Sequence, residues 1–95
     1  MTHDFPEARP AAIGERLLLT RTALGLSQKE FARRARISPS AYNHLEAGRH
    51  RPSIENALAL RAAYGLTLDW IYGGDPSGLR YVLWEAVKAL RTARN

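Results

Sequence analysis

Cationic side chains concentrate around one short segment in the middle of the chain. Between Lys29 and Arg51 six cations face two acids, which gives this segment a charge of +4, whereas the rest of the chain carries +1. Twelve of the fourteen cations are arginine, whose planar guanidinium suits phosphate oxygens and guanine edges. This pattern predicts polyanion binding, because Lys and Arg displace counterions from phosphates. A solvated helical face is the alternative interpretation of the charge.

Other kinds of chemistry have little support in the sequence. There is no cysteine, so disulfides and thiolate–metal sites are excluded, and the histidines His3, His44 and His50 lack metal-ligand spacing. No catalytic pair has a recognisable spacing, and no glycine loop precedes a helix. We therefore expect no enzyme activity, no metal and no cofactor. The opening residues "MTHDFPEARP" contain no apolar run, from which we expect a cytoplasmic protein without a membrane segment.

Helical periodicity and capping residues predict the elements that position the cations. The length predicts one domain, and no strand pattern is evident. The chain is predicted to begin with a flexible polar arm over residues 1–11, followed by a first helix that has Ile13, Leu17, Thr20 and Leu24 on one face and ends at Gly25. The second predicted helix is capped by Ser27, and the third is capped by Ser38 and closed by Gly48. A fourth helix is predicted from Ile54 to Tyr64, and a short fifth helix is capped by Thr67 and stops at Gly73.

A further helix is predicted over residues 79–93. One apolar face contains Leu79, Val82, Leu83, Ala86, Val87 and Leu90, while Tyr81 and Trp84 fall on another side with Lys88. A helix that is apolar on two sides needs two partners, and Leu18 and Leu19 of the first helix need cover. We therefore hypothesise a homodimer built partly by Tyr81, Trp84 and Lys88. The alternative is an intramolecular helix that leaves both aromatic rings half-exposed.

Only two residues separate the second and third helices, which predicts a helix-turn-helix. The run from Ile13 to Gly73 carries "GLSQKEFA", "ISPSAYNHLEAG", "RPS" and "YGLTLDWI" in an order and spacing that resemble the XRE family of regulators, the group of Cro and the lambdoid phage repressors. The resemblance covers about two-thirds of the chain. It implies an all-α, lambda-repressor-like five-helix DNA-binding domain over residues 12–73, with an additional C-terminal helix.

The resemblance also assigns roles to single positions. The third helix becomes the recognition helix in the major groove, with Tyr42 and Leu45 turned to the core. The implied base contacts are Ser38, Ser40, Asn43 and His44, and the implied phosphate contacts are Arg21, Gln28, Lys29, Arg49, His50 and Arg51. Ser38 as a cap alone and Asn43 as a solvent residue are the alternatives.

Two positions carry specific expectations. Glu46 near a helix C-terminus needs a cation, and the family places Arg21 there, so we expect a structural ion pair between Arg21 and Glu46. The family often has glycine, with positive φ, at the first residue of the turn, where this chain has Arg36. Either the turn is reshaped or Arg36 adopts that conformation at a cost of about 1 kcal/mol.

These expectations describe a transcriptional regulator that binds specific double-stranded DNA. Its simplest form is a repressor that binds an inverted repeat as a homodimer and is associated with the nucleoid when bound to DNA. An antitoxin-like protein or an adaptor, with the same helices binding a protein partner, is the alternative. RNA binding has less support, because no stacking platform of exposed aromatic residues is evident.

Overall fold

The structure is a computed structural model that describes residues 4–94. Within that range every regular element is helical, and the predicted all-α architecture is confirmed. A 3-10 turn at Pro6–Ala8 precedes six helices: α1 (Pro10–Ala23), α2 (Gln28–Arg34), α3 (Pro39–Glu46), α4 (Ile54–Tyr64), α5 (Leu68–Gly73) and α6 (Tyr81–Arg94).

Side-chain caps start the four middle helices. The hydroxyl oxygens of Ser27, Ser38, Ser53 and Thr67 each accept the backbone N–H of the residue three positions later. Each cap satisfies a donor that the first turn of a helix leaves free. Short-range sequence chemistry therefore fixes where α2, α3, α4 and α5 begin.

The helix-turn-helix closes with Arg36 in the left-handed region, at φ 59°. The N–H of Ile37 donates to the Ala32 carbonyl (2.9 Å), and that of Arg36 donates to the Arg33 carbonyl (2.9 Å). These two bonds form the Schellman motif that glycine usually completes. Of the two outcomes expected for this position, the second occurs: the turn keeps its shape and Arg36 adopts the strained backbone.

One core joins the helices. Its fully buried large side chains include Ile13, Leu17, Phe31, Tyr42, Leu45, Leu60 and Trp70. The Phe31 ring stacks on Tyr64 at 4.3 Å between centroids, and the Tyr64 hydroxyl donates to the Phe31 carbonyl (2.6 Å). The Trp70 Nε1–H donates to the Thr20 hydroxyl (3.1 Å), which ties α5 to α1. These contacts join α2 to α4 and α5 to α1 within the one core.

Helix α1 crosses the C-terminal end of α3 at very short range. A Cβ atom on Gly14 would lie 2.6 Å from the Glu46 carbonyl oxygen and 2.8 Å from that of Leu45. Only glycine permits this approach, so the contact between Gly14 and the end of α3 sets how α3 lies on the domain.

The start of the chain differs from the predicted arm. Among the described residues 4–11, a 3-10 turn is followed by α1 from Pro10 onward. Arg16, 6% exposed, donates to the carbonyls of Glu7 and Ile71, and Arg51 Nε donates to the Ala8 carbonyl (2.6 Å). These bonds hold the turn against the domain. Residues 1–3, including His3, lie outside the described residues, as does residue 95.

Two apolar positions also differ from the expected helix faces. Leu24 is the C-cap of α1 and is 38% exposed, because the helix ends at Ala23 before the stripe reaches it. Val82 is 80% exposed, although it was expected on the buried face of α6. Leu83 and Val87 form that face instead, four residues apart.

Candidate nucleic-acid interface

Helix α3 presents a polar face to solvent. Ser40 and His44, one turn apart, lie on the same side of the helix, with Asn43 beside them. Ser40 and Asn43 are exposed and His44 is half-buried, whereas Tyr42 and Leu45 on the opposite side are buried in the core. The helix therefore combines a buried apolar side with a solvent-facing row of side chains that can hydrogen-bond.

Four polar side chains connect α3 to α1 and α2, and we call Arg21, Gln28, Asn43 and Glu46 the polar network. Arg21 Nε and Nη2 donate to the two carboxylate oxygens of Glu46 at 2.9 and 2.8 Å. Gln28 Nε2 donates to Glu46 Oε1 (3.0 Å), and Asn43 Nδ2 donates to Gln28 Oε1 (3.1 Å). The network thus links three helices and ends at an exposed residue on the polar face of α3.

The ion pair in the network is largely shielded from water. The Glu46 side chain is 6% exposed and that of Arg21 is 16% exposed. Burial alone would raise the pKa of Glu46, but the hydrogen bonds from Arg21 and Gln28 help to hold that pKa below its ordinary value. The hydrogen bond with Glu46 raises the pKa of Arg21. Both groups are therefore charged at neutral pH.

Arg21 is committed mainly to contacts inside the protein. Its Nη1 donates to the Leu26 carbonyl (2.9 Å), and its other two nitrogens donate to Glu46. The expected structural ion pair is thus present in the geometry. The phosphate contact of Arg21 stays a prediction, and it would use the guanidinium N–H groups that these bonds leave free.

The buried hydroxyl of Tyr42 lies beside this pair. The hydroxyl makes no hydrogen bond of regular geometry among the described residues, but it lies close enough to the Glu46 carboxylate to interact with it. Burial raises the pKa of Tyr42 far above its ordinary value, and the interaction of the hydroxyl with Glu46 raises it further. The hydroxyl is therefore neutral, and it costs stability if it stays without a partner.

Cations flank the polar face of α3 on two elements. Lys29 in the first turn of α2 and Arg49 after α3 are exposed, and neither makes an ion pair within residues 4–94. Arg33 and Arg34, by contrast, share Glu30. Lys29 and Arg49 are thus available to an external anion.

The loop after α3 contains the other predicted phosphate ligands. The His50 ring meets the His44 ring edge to face, with 6.0 Å between centroids, so this loop lies against the polar face of α3. The Nε of Arg51 is used by the Ala8 carbonyl, which leaves its Nη groups without a described partner. The structure brings Asn43, Gln28, His44 and His50 together at one surface.

The residues predicted for dimerisation on α6 do not form one exposed surface. Tyr81 is 73% exposed, but Trp84 packs edge to face on Trp70, with 5.8 Å between centroids. Lys88 lies 5.5 Å from the centre of the Trp84 ring and pairs with Glu85 (2.8 Å). Trp84 therefore belongs to the intramolecular contact of α6.

Two features of the site were missed at the level of sequence. The hydrogen bonds of Gln28 to Glu46 and Asn43 join residues far apart in the chain and have no local signal. The second is the outer face of α4, where Ile54 is 59% exposed and Leu58 is 37% exposed. A signal for it existed, because "IENALALRAAY" has three charged or amide residues spread around the helix, and the sequence therefore shows no separate polar face.

The described part of the chain shows neither a metal-binding cluster nor a membrane-spanning helix. Within residues 4–94 no group of three or more His, Asp or Glu side chains is arranged to hold a metal ion. None of the described helices is long and apolar enough to span a bilayer.

Comparison with known protein families identifies a match over the centre of the chain. The family model described as helix-turn-helix matches residues 17–71, which is more than half of the chain and includes all of α2, α3 and α4. No curated protein and no solved structure matches the chain.

Proposed function

The chain belongs to the XRE family of DNA-binding helix-turn-helix regulators, and from this premise we propose that it is a transcriptional repressor that binds an inverted-repeat operator as a homodimer. The family is regulatory and typically non-enzymatic, so we propose no catalysis. We place the protein in the cytoplasm, at the nucleoid when it is bound to DNA.

The polar network is the observation that carries this proposal. It fixes α3 to α1 and α2 through charged and neutral hydrogen bonds, so that Ser40, Asn43 and His44 project from a rigid frame. A side chain that discriminates between bases must be held in place, because base recognition depends on hydrogen bonds of defined geometry. A purely electrostatic surface would not need such a frame.

The exposed cations supply affinity that is independent of sequence. Lys29 lies in the first turn of α2 and Arg49 in the loop after α3, and neither has an internal counter-ion among the described residues. Phosphates on either side of a major groove are suitable partners for such a pair. Ser38, His50 and Arg51 complete the proposed contact set.

The test begins with selection of the purified protein against randomised duplex DNA. A palindromic motif with half-sites about one helical turn apart is expected. His44→Ala should then weaken binding to the selected site more than binding to random DNA. Arg49→Ala should weaken both and lower the slope of log affinity against log salt by about one.

Arg80→Ala serves as a matched control, since Arg80 is an exposed arginine just before α6. It should leave affinity and salt slope unchanged. If no motif is enriched and binding only declines with salt, the repressor proposal fails, and a protein partner of the antitoxin or adaptor kind becomes the function to pursue. Equal losses on both DNAs from His44→Ala would remove His44 from the base contacts.

A further inference from the structure

The hydrogen bonds of the polar network run in one direction. The ionised carboxylate of Glu46, paired with Arg21, can only accept, so the end of the Gln28 amide that meets it at 3.0 Å must be the nitrogen. The Gln28 oxygen then lies at the other end of that amide, where it accepts from Asn43 Nδ2 at 3.1 Å. The charge on Glu46 therefore fixes which end of the Asn43 amide points inward, although Gln28 lies between the two in this chain of bonds.

Asn43 keeps one donor and one acceptor for an external partner. Its amide nitrogen carries two hydrogens, of which Gln28 takes one. The Asn43 side chain makes no other hydrogen bond to the described residues 4–94, and it is exposed beside Ser40 and His44 on the polar face of α3. The carbonyl oxygen Oδ1 and the second N–H thus remain available.

Of the two purines, adenine matches this combination. In the major groove adenine presents an acceptor, N7, and a donor, the N6 amino group, whereas guanine presents two acceptors, N7 and O6. Asn43 can donate its second N–H to N7 of adenine and accept from the amino group through Oδ1. Opposite guanine the same amide orientation brings Oδ1 against O6, and two acceptors repel each other.

We infer that Asn43 reads an adenine in each half-site, and that Gln28 is a positioning residue that prevents the Asn43 amide from turning to accommodate guanine. This inference rests on the proposed function, because it names the base that one residue of α3 recognises. It also gives Gln28 a role beyond the predicted phosphate contact.

The network opposes rotation of the amide at each step. A free asparagine adapts to either purine by turning its amide through half a circle, which exchanges the oxygen and the nitrogen. Here that rotation would bring Asn43 Oδ1 against Gln28 Oε1 and lose the bond between them. Turning the Gln28 amide as well would bring its oxygen against the Glu46 carboxylate, which Arg21 holds by two bonds of 2.9 and 2.8 Å. Neither amide can therefore turn without losing a hydrogen bond.

The other predicted base contacts have no such constraint. The Ser38 hydroxyl accepts the Ala41 N–H as a helix cap (3.1 Å). The hydroxyl of Ser40 rotates and both donates and accepts, and the two ring nitrogens of His44 exchange these roles with the tautomer. Asn43 is thus the predicted base contact whose donor and acceptor are assigned by the rest of the protein.

Binding of the full chain to variants of the selected duplex tests the assignment of adenine. Each base pair of one half-site is replaced in turn, and affinities are measured for the wild type and for Asn43→Ala. At one position the wild type should prefer adenine over guanine by about tenfold, and Asn43→Ala should lose this preference. A purine analogue without the 6-amino group, placed at that adenine, should weaken the wild type by about tenfold and Asn43→Ala by less than about twofold.

Gln28→Ala tests the positioning role. Without Gln28 the Asn43 amide turns freely, so the preference for adenine over guanine should fall from about tenfold to about threefold or less. Lys29→Ala is the matched control, since Lys29 is the next residue in the first turn of α2 and has no ion pair within residues 4–94. It should weaken both duplexes equally, as the loss of a phosphate contact does. Both variants should keep the helical circular dichroism spectrum of the wild type.

The outcomes separate this inference from the proposed function. An undiminished preference in Gln28→Ala, with both affinities lowered equally, would overturn the positioning role and leave Gln28 as a phosphate contact. A selected motif in which Asn43→Ala alters no base preference, or in which Asn43 controls a base other than adenine, would overturn the assignment of adenine while the regulator stands. If selection enriches no motif, the proposed function itself fails, and the adenine contact with it.

Discussion

Gly14→Ala should destabilise the protein, although helix propensity alone predicts the opposite. In a helix interior alanine is about 1 kcal/mol more favourable than glycine. Here the new Cβ would lie 2.6 and 2.8 Å from two carbonyl oxygens of α3, well inside the 3.4 Å at which ordinary contact begins. Both obstacles are backbone atoms, so α1 and the end of α3 must separate. Overpacking of this kind costs about 3 kcal/mol at the upper end of its usual range, which leaves a net loss of about 2 kcal/mol.

Urea denaturation monitored by circular dichroism measures this loss, and Gly73→Ala is the matched control. Gly73 closes α5 without a positive φ, and a Cβ there would meet nothing within 4 Å. The control should stay within about 1 kcal/mol of the wild type or exceed it. For a domain of this size the Gly14→Ala loss corresponds to a melting temperature about 10 °C lower.

The same variant connects packing to function. Because the contact of Gly14 is with the carbonyls of Leu45 and Glu46, the required shift moves the end of α3 and disturbs the polar network. The folded fraction of Gly14→Ala should therefore bind the selected operator more weakly than the wild type. A variant as stable as the wild type, with unchanged operator affinity, would refute the argument that this crossing sets the position of α3.

Three predictions concern the ion pair and its neighbours. Glu46→Ala leaves the Arg21 guanidinium without its counter-ion, so the free energy of unfolding should fall by about 3 kcal/mol in urea titration; a loss below about 1 kcal/mol would contradict the role assigned to the pair. The pKa of Glu46 is lower in the folded than in the unfolded chain, so its contribution is present above about pH 4.3 and lost as the pH falls through the folded value. Urea midpoints measured from about pH 6 to pH 3 should therefore fall less steeply for Glu46→Gln than for the wild type, and parallel curves would exclude this linkage. Tyr42→Phe removes a buried hydroxyl that lies beside Glu46 without a hydrogen bond of regular geometry, so the free energy of unfolding should change by less than about 1 kcal/mol, whereas a larger loss in urea titration would reveal a bond from that hydroxyl to the carboxylate.

Local chemistry explains why most helix boundaries were predictable from sequence. The caps at Ser27, Ser38, Ser53 and Thr67 act within three residues, so the residues that form each boundary are adjacent in the chain. The pairing of Arg21 with Glu46 was different, because only the family pattern indicated it. Local sequence carries no information on two side chains that meet across helices.

The helix α6 shows where periodicity stops being informative. Val82 and Trp84 lie about 100° on either side of Leu83, so the helical pattern treats them as equivalent. The ring of Trp70 on α5 lies on the side of Trp84, and Arg91 covers both rings at 5.6 and 5.9 Å. The contact of Trp84 with Trp70 therefore decides which of the two sides is buried, and Val82 remains exposed.

The polar network is better explained by positioning than by stability. Shielding two charges from water costs free energy that their attraction only partly returns, so an apolar pair at Arg21 and Glu46 would stabilise the domain about as well. An apolar pair would, however, leave the Gln28 amide without its acceptor on Glu46, and Gln28 would then no longer be held in place to accept from Asn43. Hydrogen bonds constrain direction more narrowly than apolar contact does. The ion pair therefore serves to fix one orientation of α3, and with it the side chains that its outer face presents.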